Sequence, residues 1–428
     1  MPRTNKKKKK GGARAGDSSE YDTAEETASV TSSHISEPDS IDEAIASHGL
    51  DDVDETSGQD AFEEKIRDFI DGTTQKSAAG RKHCFEGIRA AFSKKYIFDF
   101  VDSRKITIAD CLERSIKKGK GDEQVLAAKL LNTLWIQLGA GPECEEVFAA
   151  LRPVLMSKVL DKTASPAARA SCASALGLGT FIAAAEFETV CSCMNALEDI
   201  FSASYLKGDG SSPTHKPGVS TLHTAALNGW MLLLSITPTS RIKHIVETHL
   251  PKLPDLLSSD DVNLRIVAGE AIAMLYELAR EDDEEFEGDD IDELVVKIRN
   301  LATDSNKHRA KKDLRQQRSS FRDIIQTIEN GESPQELVKF GVECLEIDSW
   351  VRRRQYSIIR ESLGSGTNTH LQENPLLRDI FGLGAPLVIG LGGHKKASKT
   401  ERHNFNSAAF KARTKVRSKQ RDKRVAIY

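Results

Sequence analysis

Residues 261–278 read DVNLRIVAGEAIAMLYEL, a pattern that repeats along the chain. An aspartate able to cap a helix precedes apolar residues that recur every three or four positions, the period of one helix face. Arg265 follows the aspartate by four residues, Gly269 by eight and Ile272 by eleven. Three other segments fall on the same frame: Ser77-AAGRKHCFEGIRAAF, Glu123-QVLAAKLLNTLWIQL and Ser165-PAARASCASALGLGTF. Arg81 and Arg169 take the fourth step, Phe85, Leu131 and Ala173 the eighth, and Ile88, Leu134 and Leu176 the eleventh. The starts lie 46, 42 and 96 residues apart. The last gap is about twice a unit, and it predicts a further helix around Val219 to Ile236. Units of ~40–47 residues made of two or three helices are the armadillo/HEAT pattern. Small residues at the eighth step allow neighbouring helices to approach closely.

The spacing predicts an all-α, armadillo/HEAT-like α-solenoid over residues 61–303, preceded by a disordered tail over 1–60. A basic helical segment over 304–333, a C-terminal domain over 334–393 and a basic tail or helix over 394–428 complete the chain. Within 334–393, Glu343 to Trp350 alternates like a short strand, and VRRRQYSIIRESLG reads as an amphipathic helix closed by Gly364. Of the 428 residues, 39% are hydrophobic, 29% charged and only 6% aromatic, which suits closely packed helices under a solvated surface.

The net charge of −4 hides a strong segregation. Residues 1–16 carry seven Lys/Arg and no acid, whereas residues 17–60 carry fourteen Asp/Glu and no Lys/Arg. Residues 394–428 carry twelve basic and two acidic side chains. The acidic stretch has too little apolar surface to offset its ordering entropy. The lysine run at Lys6 to Lys10 fits nuclear import, and no apolar stretch follows it as a secretory leader would require.

Catalytic chemistry finds little footing. Gly177 and Gly179 lie within a helical pattern and read as packing glycines. The GLGGHKK string at residues 390–396 lacks the spacing of a phosphate loop. The seven cysteines are odd in number and scattered, and Cys191 and Cys193 have no second ligand pair nearby. His83, His223 and His244 read as surface or groove residues. The sequence therefore implies no enzyme, no metal, no cofactor, no small-molecule substrate and no membrane span.

Two basic strings remain. In NKHRAKKDLRQQRSSFRD (306–323), Lys307, Arg309, Lys311, Lys312, Arg315, Arg318 and Arg322 are opposed by only two aspartates. Arg315, Arg318 and Arg322 are spaced to line one face of a helix. In KARTKVRSKQRDKR (411–424), a cation occupies every second position: Lys411, Arg413, Lys415, Arg417, Lys419, Arg421 and Lys423, with Arg424 adjacent. A helix of that sequence is charged on opposite sides and keeps no apolar stripe for packing on its own protein. No aromatic interleaves, so contact with phosphate rather than stacking on bases is what these residues favour. The same string also fits a solubilising or nuclear-targeting tail.

The chain resembles the interferon-related developmental regulators. The likeness is carried by SIKKGKGDEQ (115–124), LPDLLSSDDVNLRIVAGEAIAMLYELAR (253–280), ATDSNKHRAKKDLRQQRSSFRD (302–323), KFGVECLEIDSW (339–350) and NSAAFKARTKVRSKQRDKR (406–424). This resemblance implies an armadillo-like fold and a non-enzymatic regulator in the cytoplasm, the nucleus or both. The family is described both as occupying inactive ribosomes and as co-regulating transcription. On the first description, both basic strings bind ribosomal RNA and the protein represses translation. On the second, the solenoid groove holds nuclear protein partners.

Overall fold

The computed structural model describes residues 55–386, except residue 212 and residues 306–309. In chain order the helices are α1 (Glu55–Gly72), α2 (Ala78–Lys94), α3 (Phe98–Asp102), α4 (Lys105–Lys118), α5 (Asp122–Leu138) and α6 (Pro142–Leu160). There follow α7 (Pro166–Ala183), α8 (Phe187–Phe201), α9 (Val219–Leu234), α10 (Thr239–His249), α11 (Val262–Asp282), α12 (Ile291–Ala302) and α13 (Lys311–Asn330). An antiparallel hairpin, β1 (Glu336–Phe340) and β2 (Glu343–Ile347), leads to α14 (Trp350–Leu363), α15 (Thr367–Glu373) and α16 (Pro375–Ile380).

Helices α2, α5, α7, α9, α11 and α13 stack one on the next as an inner row. Helices α1, α4, α6, α8, α10 and α12 back that row as a second layer. The repeat frame read from the sequence is the inner row. Its caps form as expected: Ser77 accepts from Gly80 N, Ser165 from Ala168 N, and Asp261 from Asn263 N and Leu264 N. The eighth and eleventh positions are buried throughout, and the anticipated extra unit is α9. Each framed arginine ties its helix to a neighbouring segment. Arg81 forks onto Glu123 at 2.8 and 2.7 Å, Arg169 donates to Val159 O at 2.8 Å, and Arg265 donates to Gln317 Oε1. The Arg81 pair holds the Glu123 carboxyl below its usual range. At Gly177 a Cβ would stand 2.8 Å from Gly229 Cα, so α7 and α9 cross backbone to backbone. Gly177 is therefore a packing glycine, as its place in the helix suggested.

Helices α5, α9 and α11 of the inner row are buried over most of their surface because a third element also covers them. Helix α14 packs on α9 and α11 and also reaches α5 and α2. Its 14 residues span about 21 Å, so it runs as a chord between distant members of the row. The interface is polar as well as apolar. Arg354 pairs with Glu270 and donates to Asn228 Oδ1, and Gln355 donates to Ser235 Oγ at 3.1 Å. Glu277 of α11 accepts from Trp350 N at 2.9 Å and Val351 N at 3.2 Å, which satisfies the open start of α14. Burial pushes the Glu277 carboxyl up.

Beyond α14, His370 and Asn374 latch α15 and α16 to the far end of the row. His370 Nε2 donates to Phe92 O at 3.0 Å, and Asn374 Nδ2 donates to Ile136 O at 2.9 Å and to His370 Nδ1 at 3.2 Å. That network requires a neutral ring, and burial depresses the His370 pKa to about 4. Above pH ~6.5 the ring is neutral in folded and unfolded chains alike. As pH falls from there toward 4, the unfolded chain takes up a proton that the folded one refuses, and stability is lost. Over that window the loss approaches ~3 kcal/mol. Chemical denaturation at pH 7.5 and pH 5 should show the drop. A His370→Gln variant should be weaker at pH 7.5 yet less sensitive to acid; equal acid sensitivity would refute the latch.

Three sequence expectations are revised. Helix α1 begins at Glu55, ahead of the boundary at 61, so residues 55–60 belong to the array; the rest of the tail lies outside the described residues. Besides the expected strand β2 there is β1, whose polar, half-exposed ELVKF lacks alternation strong enough to read. His223 is not a groove residue: it is buried against Ser204, with a pKa depressed by burial to about 4.

Candidate nucleic-acid interface

Helix α13 closes the inner row and carries one of the two basic strings. Leu314, Gln317, Phe321, Ile324 and Ile328 form its buried face. Gly269 of α11 makes room for Phe321, since a Cβ there would come within 2.8 Å of that ring. The end of α13 is held from outside. Arg280 donates to Thr327 O at 2.6 Å and Ile328 O at 2.8 Å, covering carbonyls that the last turn leaves open. Gly331, at φ +70°, turns the chain away in a left-handed cap.

Opposite that buried face stand the expected cations. Lys311, Lys312, Arg315 and Arg322 are exposed, and Arg318 is half-buried with its Nε donating to Leu314 O at 3.2 Å. No carboxylate among the described residues pairs with any of the five. The arrangement opposes helix stability. Lys311 and Lys312 sit at the positive end of the helix dipole, Ala310 supplies no side-chain cap, and only Asp313 offsets them in the first turn. A surface that violates local electrostatics on a firmly braced helix is suited to an anionic partner.

Lys307, Arg309 and the whole string Lys411 to Arg424 lie outside the described residues. What is described is the root of the C-terminal tail. Arg378, buried on α16, forks onto Glu343 of β2 at 2.8 and 3.1 Å. It also donates to the carbonyls of Leu371, Gly384 and Ala385 at 3.0, 2.7 and 2.9 Å. One side chain thus fixes the path of the chain just before Pro386. No local pattern marks Arg378, because its partners are scattered over some 40 residues; Arg353, Arg354 and Arg360 read locally as no more than part of an amphipathic helix.

No group of three or more His, Cys, Asp and Glu among the described residues is placed to hold a metal, and none of their helices is long and apolar enough to cross a membrane. Cys191 Sγ accepts from Arg241 at 2.8 Å, while burial raises the Cys144 and Cys172 thiols to about 12.

A family model described as "Interferon-related developmental regulator" matches residues 27–329, ending with α13, and one described as "Interferon-related protein conserved region" matches residues 374–425. The chain is 50% identical over 381 residues to "Interferon-related developmental regulator 2" of Mus musculus, covering 89% of this chain and 86% of that one. It is 46% identical over 411 residues to "Interferon-related developmental regulator 1" of Sus scrofa, covering 96% and 90%. An uncharacterised protein of Schizosaccharomyces pombe is 24% identical over 226 residues, 48% of this chain and 50% of that one.

Proposed function

The chain belongs to the interferon-related developmental regulator family, and from that premise we propose that it is a non-enzymatic regulator that binds ribosomal RNA and represses translation. The observation that carries this reading is the exposed face of α13, where Lys311, Lys312, Arg315 and Arg322 stand without carboxylate partners among the described residues. Phosphate is the partner such a face lacks, because each contact releases condensed counterions. The alternating cations of Lys411 to Arg424 add a second basic element on a tail whose root Arg378 holds. The protein acts in the cytoplasm, with import to the nucleus served by its basic ends.

The alternative is a nuclear co-regulator that holds protein partners in its groove. It has less support, because α14 and α15 already pack on the inner row where such partners would lie. Sedimentation of a cell extract through a sucrose gradient separates the two. The protein should travel with ribosomal peaks and leave them after RNase. Migration at the top of the gradient in both conditions would remove the ribosomal reading.

A further inference from the structure

Beside the basic face of α13 lies a cavity of about 250 Å³, bounded by α13, β1 and α14 over a floor of Met231 and Ile266. Gln316 and Ser320 line it from α13, and Ser357 and Arg360 from α14. On α13, Lys312, Gln316 and Ser320 recur every four residues and so share one row, which leads from the cations to the cavity. Its lining carries three guanidiniums and two carboxylates, and Asp323 behind Arg353 supplies a third negative charge from outside the lining. Arg354 is paired with Glu270 and Arg353 with Asp323, while Arg360 and Glu336 are exposed at its edge.

A cavity balanced in this way does not draw a bare phosphate. Apart from the paired groups, it offers two serine hydroxyls, an amide, a carboxylate and a guanidinium around an apolar floor, with Trp350 and Tyr356 also in its lining. A flat, apolar group with donors and acceptors along its edge meets all of these features, and a nucleobase is that group.

We infer that the cavity receives one unstacked base of an RNA strand whose phosphates lie along Lys312 and Arg315 of α13. RNA is commonly read in this way, through bases splayed from the strand and hydrogen-bonded along their edges. The space suits a single base with its ribose and is below the usual range for larger ligands. The inference rests on the RNA reading above and gives it a contact that charge alone does not supply.

The test uses the full chain and two single-stranded RNA probes of roughly 12 nucleotides, near the site size of such proteins. One probe carries all its bases, and the other has abasic sites in its central half. The parent should bind the complete probe about tenfold more tightly, the worth of one base contact. Ser320→Trp and Ser357→Trp each fill the cavity without changing charge. In both variants the two probes should bind equally, with the parent's salt dependence retained. A parent that does not distinguish the probes overturns the inference and leaves the RNA reading standing. So does a tenfold ratio that survives both substitutions. Failure of the parent to bind either probe removes the RNA reading and the base site together.

Discussion

A chain ending at residue 333 is expected to keep most of its helix, melt at least ~10 °C below the full chain and bind a hydrophobic dye. The deletion strips α14 to α16 from the inner row. Trp350, Tyr356, Ile359 and Leu363 of α14 are buried there, as are Leu371 of α15 and Leu377 of α16. Large apolar side chains contribute ~1.5–3 kcal/mol each on burial, against a total stability on the order of 5–15 kcal/mol. The row would also lose its chord. Solenoid repeats otherwise touch only their neighbours, so contacts from α14 to α9, α11, α5 and α2 couple distant units. Removing them should broaden the melt as well as lower it. Circular dichroism and dye binding check both effects. A truncated chain that melts like the parent would mean that residues 334–393 fold as a separate domain.

The sequence boundaries 61–303 and 334–393 left that coupling out of view, and the reason is physical. Caps, framed arginines and small residues obey a local period, so Ser77, Ser165, Asp261, Gly269 and the extra unit at α9 were legible. Contacts between Arg354 and Glu270, or Asn374 and Ile136, join residues 84 and 238 positions apart. Nothing in either local segment announces its partner. The candidate site divides in the same way. The cations of α13 were visible as a row because helical spacing alone places them. The cavity beside them needs three elements brought together by the hairpin, and the clamp at Arg378 needs β2, α16 and the tail root at once.

Charge removal on the tail should have the largest effect on binding. Replacing Lys415, Arg417, Lys419 and Arg421 by alanine removes four contacts if Lys411 to Arg424 lies along ribosomal RNA. At ~0.7 per contact for single strands, the slope of log affinity against log salt should flatten by roughly three units. Near 0.1 M salt that corresponds to an affinity loss of roughly 10²–10³-fold for purified ribosomes. Alanine at Lys311, Lys312, Arg315 and Arg322 should act in the same sense. These four cations are exposed on a braced helix and have no carboxylate partners among the described residues, so the fold should tolerate their loss. The two sets are separate in the chain, and their slope changes should add unless one set docks only after the other. Exchanging Lys and Arg within the tail should matter little for point-charge contacts and more for bidentate ones. An import signal behaves otherwise: the tail variant would lose nuclear accumulation yet hold ribosomes as well as the parent does. In that event the tail is an address, and ribosomal binding must come from α13 or not at all.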